Sequence, residues 1–217
     1  MKKLLTILVA LSAFAAFPTF ADDPVLLIVD TDFAPDCDDV GALAMAHYLE
    51  NAGEAELIGV ITSTTGEYVV AAVDAVNHYY GRSHIPIGLS VVEKDQVGGF
   101  TPVLADTNQF PSRQTNETAY DSTTLYRNLL HEAERPVRIA VIGYQSPLSA
   151  FLDSEANHGG DGIPYTGLEL AEQKVEKLVL MVGNFENPNH FEWNLANEVP
   201  AAQNIADNWP GEIIFSG

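Results

Sequence analysis

Cysteine and basic residues are scarce in this chain of 217 residues. The single cysteine, Cys37, cannot form an internal disulfide, so the hydrophobic core must hold the fold together. Ten lysine and arginine residues stand against 30 aspartate and glutamate residues, which gives a formal net charge of −20. Because a field of this sign repels phosphates and anionic lipid headgroups, we expect neither a nucleic-acid partner nor a membrane-surface partner.

Several familiar catalytic and metal-binding motifs are also missing. The six histidines show no metal-ligand spacing, no serine lies in a nucleophile-elbow pattern, and no glycine-rich phosphate loop occurs. An EF-hand counted from Asp30 would need Gly at its sixth position and Glu at its twelfth, where Pro35 and Gly41 stand. These absences argue against a histidine-based zinc site, an α/β-hydrolase, a P-loop enzyme and an EF-hand.

Residues 1–21 have the layout of a secretory signal peptide. Two lysines precede a short apolar run, which is interrupted by Pro18 and ends in small residues. No later apolar run is long enough to span a bilayer. We therefore predict cleavage after Ala21, a secreted or periplasmic location, and one α/β domain over residues 22–217.

Apolar runs of strand length alternate with stretches of helical period along the rest of the chain. The predicted strands are Val25–Val29, Leu57–Thr62, Ile85–Leu89, Val137–Ile142, Lys177–Val182 and Ile213–Phe215. The predicted helices are Val40–Glu50, Tyr68–Tyr80, Ser122–Ala133, Pro147–Leu152, Gly167–Val175 and Pro200–Asn208. This rhythm predicts a three-layer α/β fold, with a mostly parallel, Rossmann-like sheet and helices on both faces. The irregular segment Val92–Tyr120 is predicted to be a long loop or flap.

An acidic loop follows the first predicted strand. The segment DTDFAPDCDD, residues 30–39, holds five carboxylates and no lysine or arginine. These carboxylates repel one another unless a cation or hydrogen-bond donors compensate them, and an all-oxygen set favours Ca²⁺ or Mg²⁺ over zinc. A simpler alternative is that Asp38 and Asp39 only stabilise the start of the following helix.

Two other loops are expected at the same edge of the sheet. In open parallel sheets, ligands bind beyond the carboxyl ends of the strands. Gly143 and Tyr144 follow the fourth long strand, and the motif Glu192-Trp193-Asn194 follows the fifth after a short interval. The sequence therefore predicts that these residues surround the acidic loop.

The segment IVDTDFAPDCDDVGALAMAHYL, which starts at Ile28, resembles the N-terminal signature of the inosine-uridine-preferring nucleoside hydrolase family. The resemblance continues in order through ELIGVITSTTG, DAVNHYYGRSHIPIG, VRIAVIGYQSPLSAFL, VEKLVLMVGNF and FEWNLANEVPAA. The acidic loop and the Glu-aromatic-Asn motif are its specific parts. Family chains continue beyond the point that matches Gly217, so the resemblance also implies that the family's C-terminal part is absent here.

The resemblance implies a role for each matching residue. It implies Ca²⁺ as the cofactor, held by the side chains of Asp32 and Asp39 and by the backbone carbonyl of Ile142. Asp32 would also be the catalytic base that accepts a proton from the attacking water. The residues that match ribose ligands are Asp38, Asn187, Glu192 and Asn194, and Asp30 matches an acid that supports the loop.

The implied activity is hydrolysis of the N-glycosidic bond of a ribonucleoside, or of a related N-ribosyl compound, in nucleoside salvage. Two alternatives stay open. The first is a calcium-dependent sugar-binding protein without catalysis. The second is a phosphatase of the haloacid dehalogenase type, because Asp30-Thr31-Asp32 has the Asp-x-Asp spacing of that class. The sequence leaves both a monomer and a homo-oligomer open.

Overall fold

A computed structural model describes residues 23–94, 99–187 and 189–217 of the chain. The predicted signal peptide, residues 1–21, lies outside the described residues. None of the helices within the described ranges is long and apolar enough to cross a membrane.

The described residues form one seven-stranded sheet in which every pair of neighbouring strands is parallel. In chain order the strands are β1 (Val25–Thr31), β2 (Ala55–Thr62), β3 (Ile87–Leu89), β4 (Tyr120–Asp121), β5 (Val137–Val141), β6 (Val175–Met181) and β7 (Ile213–Ser216). Their spatial order is β4-β3-β2-β1-β5-β6-β7. The prediction of a mostly parallel sheet is therefore confirmed.

Eight α-helices occur in the described part of the chain. They are α1 (Asp38–Asn51), α2 (Val69–Tyr79), α3 (Thr101–Leu104), α4 (Ser122–Glu132), α5 (Ser146–Leu152), α6 (Gly167–Lys174), α7 (Trp193–Asn197) and α8 (Val199–Asn208). A short 3₁₀ turn covers His158–Gly160.

The central strand β1 sends alternate side chains into two separate hydrophobic clusters. Leu26 and Ile28 belong to a cluster that includes residues of α4, α5, α6 and α8, whereas Leu27 and Val29 pack with residues of α1 and α2. Successive side chains of a strand point to opposite faces of a sheet. The two clusters thus lie on the two faces, and the predicted three-layer architecture is confirmed.

The direction in which strands are added reverses beside β1. The chain builds β2, β3 and β4 outward on one side of β1 and then returns to place β5 on its other side. Helices that follow strands on opposite sides of such a reversal cover opposite faces, which opens a crevice beyond the carboxyl ends of β1 and β5. This crevice is the expected place for a ligand.

The boundaries of several elements differ from the sequence-based expectation. Strand β1 continues to Thr31, and α1 begins at Asp38, two residues earlier than the hydrophobic periodicity indicated. The elements α3, β4 and α7 were not predicted, because segments of two to five residues are too short to show a period. The segment Val92–Tyr120, where described, contains α3 and the start of β4 but is otherwise irregular.

A buried arginine holds the long connection between α5 and α6. The guanidinium of Arg127 is fully buried and forms an ion pair with Asp161, at 2.5 Å between Nε and Oδ2. It also donates to the Ser154 hydroxyl and to the backbone carbonyls of Ile163 and Tyr165. One side chain on α4 therefore organises a segment that has little regular structure of its own.

We predict that Arg127→Met lowers the free energy of unfolding by about 3–5 kcal/mol, because it leaves Asp161 and two carbonyls without their buried partner. Arg138→Met is the matched control, since Arg138 pairs with Glu176 on the surface, where both side chains are more than two-fifths exposed. That change should cost less than about 1 kcal/mol. Equal losses of stability in urea unfolding would contradict the assigned role of Arg127.

Candidate functional site

The acidic loop begins with a carboxylate that lies under the site rather than in it. Asp30 is fully buried, and its Oδ2 accepts a hydrogen bond of 2.7 Å from the hydroxyl of Tyr126 on α4. Burial raises the pKa of Asp30 well above its ordinary value, although the Tyr126 hydrogen bond opposes this shift. Asp30 thus links the end of β1 to α4 beneath the crevice.

The loop turns back on itself through Thr31. The Thr31 hydroxyl donates to Oδ1 of Asp39 at 2.5 Å and accepts a hydrogen bond from the backbone N–H of Phe33. Phe33 adopts a positive φ of 52°, which is uncommon for a residue with a side chain. Its ring is buried and meets the ring of Phe100 edge-on at a centroid distance of 5.6 Å. These contacts bring the first turn of α1 back beside the end of β1.

As a result, the carboxyl groups of Asp32 and Asp39 meet. Both side chains are buried, at 6% and 4% exposure, and they interact directly with each other. Burial, and then the charge of Asp39, raises the pKa of Asp32 to about 9. Burial also raises the pKa of Asp39, to about 6, against the opposing hydrogen bond from Thr31. Two acids in this arrangement favour a shared proton or a bound cation.

The end of β5 supplies the opposite wall of the site. The backbone N–H of Ile142 donates to the carbonyl of Asp30, which keeps this residue beside β1. A β-carbon at Gly143 would collide with the backbone of Thr31 and Asp32 and with the Ser63 hydroxyl. Glycine is therefore required where β5 passes the acidic loop.

The motif Glu192-Trp193-Asn194 closes a third side. Glu192 is the N-cap of α7, and its carboxylate accepts hydrogen bonds from the backbone N–H groups of Gly183, Asn194 and Leu195. The side-chain amide of Asn194 donates to the carbonyl of Ile142 at 3.2 Å. The indole N–H of Trp193 donates to the hydroxyl of Tyr144 at 2.8 Å. Capping thus orients the whole motif toward the end of β5.

These three segments enclose a cleft of about 320 Å³. Its walls are formed by Asp32, Ala34, Pro35, Asp36, Asp38, Asp39, Ile142, Met181, Glu192, Trp193 and Asn194. The cleft brings together six of the residues to which the sequence assigns a role in binding or catalysis, namely Asp32, Asp38, Asp39, Ile142, Glu192 and Asn194. Four of the five carboxylates of the acidic loop therefore share one cavity with that of Glu192.

Asn187 and Asp30 do not line this cleft. Asn187 is exposed, and its side-chain oxygen accepts a hydrogen bond from the backbone N–H of Asn189. Asp30 lies below the cleft, as described above, so a phosphoryl group could not reach it without rearrangement of the loop. Its position disfavours the phosphatase alternative, in which Asp30 would become covalently modified.

The structure brings together three acids, Asp36, Asp38 and Asp39, that the sequence had not predicted as one set of metal ligands. Ligand oxygens of Asp36, Asp38 and Asp39 all lie within 4.8 Å of one another, so these three side chains could hold a metal ion. The sequence predicted Asp32, Asp39 and the Ile142 carbonyl as metal ligands, and Asp36 was not among them. Asp36 lies only two residues before Asp38, and this spacing could have identified it as a further candidate ligand.

The simpler explanation, in which Asp38 and Asp39 only cap α1, accounts for part of this arrangement. Helix α1 does begin at Asp38, so the two acids lie where the helix dipole stabilises negative charge. The N-cap residue Cys37, however, makes no side-chain capping hydrogen bond, and the Asp39 carboxyl bonds to Thr31 and faces Asp32 instead. Helix capping alone therefore leaves the pairing of Asp32 with Asp39 unexplained.

No family model matches this chain, and no curated protein matches it.

Comparisons of structure find similar folds among nucleoside hydrolases and effector proteins. The type III effector XopQ, solved with adenosine diphosphate ribose, matches with a TM-score of 0.64 at 16% identity and covers 89% of this chain. A plant nucleoside hydrolase matches at 0.61 and 19% identity, and the inosine-uridine preferring nucleoside hydrolase of Bacillus anthracis at 0.59 and 16%, each over 88% of this chain. This chain spans 58%, 60% and 64% of those three proteins. At these identities the likeness establishes the fold.

We predict that divalent cations stabilise the protein more strongly as the pH rises. The raised pKa values of Asp32 and Asp39 mean that the cation-free folded protein holds protons that the unfolded chain releases. This contribution to stability is complete below the ordinary carboxyl pKa and is lost as the pH rises to about 9, whereas a cation binds best when those protons have left. The increase in Tm caused by Ca²⁺ or Mg²⁺ should therefore grow between about pH 5 and about pH 9.

Asp106→Asn provides a control, because Asp106 is an acid of an exposed loop whose carboxylate accepts only local hydrogen bonds. This variant should keep the pH-dependent response to the cation, whereas Asp39→Asn should lose most of it. A cation response that does not change with pH, or one that survives in Asp39→Asn, would show that the ion binds elsewhere.

Proposed function

We propose that this chain hydrolyses the N-glycosidic bond of ribonucleosides or related N-ribosyl compounds, with Ca²⁺ held in the cleft. The observation that carries the proposal is the direct meeting of the buried Asp32 and Asp39 carboxyls in a cleft that also contains Glu192 and Asn194. The likeness in fold to nucleoside hydrolases supports it.

The donor set of the cleft fits a hard divalent cation. Asp32 and Asp39 crowd two buried carboxyls together without a basic side chain in the cleft lining, and a cation would replace the proton that otherwise relieves their repulsion. The residues that would hold it are Asp32, Asp39 and the backbone carbonyl of Ile142, with Asp36 and Asp38 beside them. All of these donors are oxygens, which Ca²⁺ prefers. When bound, such an ion orients a sugar diol and lowers the pKa of a water molecule.

Asp32 is the proposed catalytic base. Its carboxylate lines the cleft, while its backbone carbonyl accepts a hydrogen bond of 2.6 Å from the Thr64 hydroxyl on the loop after β2. The backbone of Asp32 is thereby fixed, and the side chain can accept the proton of a water that attacks the anomeric carbon. Bond cleavage passes through an oxocarbenium-like sugar, which the negative charge of the surrounding carboxylates stabilises.

The sugar hydroxyls are assigned to the other polar residues of the cleft. Asp38 is exposed in the cleft wall, where its carboxylate can accept hydrogen bonds from a diol, and Asn194 already places its amide at the Ile142 carbonyl. The Glu192 carboxylate accepts hydrogen bonds from backbone N–H groups at the N-terminus of α7, and these bonds hold it at the wall of the cleft. Asn187 would need a movement of its loop to reach the sugar. Its predicted role as a sugar ligand is therefore the least supported by this arrangement.

A binding protein without catalysis is the second candidate. The specific observation in its favour is that the described cleft lining offers carboxylates, the Asn194 amide and the exposed Trp193 indole, which can hold a sugar whether or not a bond is then broken. Calorimetry combined with product analysis separates the two candidates. Heat of binding from ribose or a nucleoside without release of free base supports the binding protein, and release of base supports the hydrolase.

The place of the reaction follows from the predicted signal peptide. If residues 1–21 direct export, hydrolysis would occur in the periplasm or outside the cell and would release ribose and base for uptake. This is consistent with a role in nucleoside salvage. The N-terminal sequence of the mature protein tests the export step independently of activity.

We predict that Asp32→Asn lowers kcat/KM for inosine and uridine at least about 10²-fold, because the amide cannot accept the proton of the attacking water. Release of reducing sugar in the presence of Ca²⁺, with a chelator as the blank, is the measurement. Asp207→Asn changes an exposed acid on α8 and should leave the rate as it is. Circular dichroism should show both variants folded. Unchanged turnover in Asp32→Asn would reject Asp32 as the base.

A further inference from the structure

The cleft carries an unusual concentration of negative charge. Five carboxylates line it, those of Asp32, Asp36, Asp38, Asp39 and Glu192, and no lysine, arginine or histidine is among the lining residues that the structure describes. A divalent cation would compensate two of these charges when the five are ionised. The remaining field attracts positive groups and repels negative ones.

The lysine beside Tyr144 does not relieve this field. The ammonium group of Lys94 lies 4.9 Å from the centroid of the Tyr144 ring, but it also forms an ion pair of 2.9 Å with Glu198. Glu198 is 6% exposed, so the carboxylate of this pair is buried. Lys94 is thus compensated by its own carboxylate and adds little positive charge to the cleft.

A fixed aromatic ring stands in the wall of the same cleft. Trp193 is 56% exposed, and its indole is held in place by the hydrogen bond to the hydroxyl of Tyr144, which is itself buried. Phe191 is exposed beside it and meets the indole edge-on at a centroid distance of 6.1 Å. Exposed indole faces attract organic cations more strongly than the other aromatic side chains do. The aromatic pair therefore favours a flat cationic group near the acidic wall.

The chemistry of the leaving group points to the same class of substrate. A neutral nucleobase leaves as an anion unless an acid protonates it, and the carboxylates of the described cleft lining would repel that anion with no lysine, arginine or histidine beside them to offset its charge. A quaternary ring nitrogen needs no proton. When its bond to the anomeric carbon breaks, the electron pair goes to nitrogen and cancels the positive charge. The water oxygen bonds to that carbon, and its proton passes to Asp32 and then to solvent.

We propose that the preferred substrates are cationic N-ribosides, in which ribose is attached to a quaternary ring nitrogen such as that of a pyridinium. This inference rests on the proposed N-ribosyl hydrolase function and specifies its substrate class. The carboxylates attract the ring before reaction, Trp193 offers it an aromatic face, and the neutral ring that is released no longer benefits from either interaction. Charge thus promotes both substrate binding and product release.

The test compares two pyridinium ribosides that differ by one carboxylate. Nicotinamide riboside carries a net positive charge and nicotinic acid riboside carries none, and uridine serves as the neutral nucleoside. With Ca²⁺ present, kcat/KM for nicotinamide riboside should exceed the values for the other two by about tenfold or more, the lower end of what a charged cleft contributes. The advantage should shrink as salt is added, because salt screens the field of the exposed carboxylates.

A pair of variants tests the aromatic contribution. Trp193→Leu should lower the ratio of kcat/KM for nicotinamide riboside over uridine by about three- to tenfold, which is the range of a partly exposed cation–π contact. Phe185→Leu is the control, because Phe185 is an exposed ring that does not line the cleft. That variant should keep the ratio of the parent protein. An unchanged ratio in Trp193→Leu would remove Trp193 from the proposal.

The outcomes separate this inference from the proposed function. Hydrolysis of uridine or inosine with no advantage for nicotinamide riboside overturns the substrate class and leaves the hydrolase intact. Failure to cleave any of these ribosides with Ca²⁺ overturns both. A salt-sensitive preference for the cationic riboside, weakened in Trp193→Leu alone, supports both.

Discussion

The rest of the site depends on the enforced proximity of two like charges. Asp32, directly after β1, and Asp39, in the first turn of α1, are buried against each other, although two carboxylates repel each other. The hydrogen bond from Thr31 to Asp39 and the buried ring of Phe33 keep the loop closed. The folded chain therefore holds two carboxyl groups whose repulsion a proton or a cation can relieve, and a cation bound there would owe part of its affinity to this enforced proximity.

The topology of the sheet explains why this arrangement can be held. Strand β1 lies in the middle, paired with β2 on one side and β5 on the other, so the acidic loop starts from a strand that is hydrogen-bonded along both edges. The walls of the cleft come from the loops after β1, β5 and β6, which lie next to one another at the reversal of strand order. A crevice at such a reversal is a common place for ligands in parallel sheets. The position of the site therefore follows from the order of the strands.

Much of this arrangement could be predicted from the amino-acid sequence alone. Continuous apolar runs identified the long strands, and the acids after Val29, the Gly143 turn and the Glu192 motif were expected at one edge of the sheet because parallel strands end together. The pattern could not show that Thr31 would bond to Asp39, since that contact depends on the exact path of a loop without a period. It also could not show that Asn187 lies outside the cleft or that Arg127 organises the segment after α5. These features depend on side-chain packing between distant segments.

The close approach at Gly143 bears on how the cleft responds to a ligand. With no room for a β-carbon between β5 and the backbone of Thr31 and Asp32, the two strands touch directly through their main chains. The position of Ile142 relative to the acidic loop is thus set by main-chain contacts, including the hydrogen bond from its N–H to the Asp30 carbonyl. An ion held by the Ile142 carbonyl would find this side of the site already in place, so it would order few groups there and the entropy lost on binding would be correspondingly small.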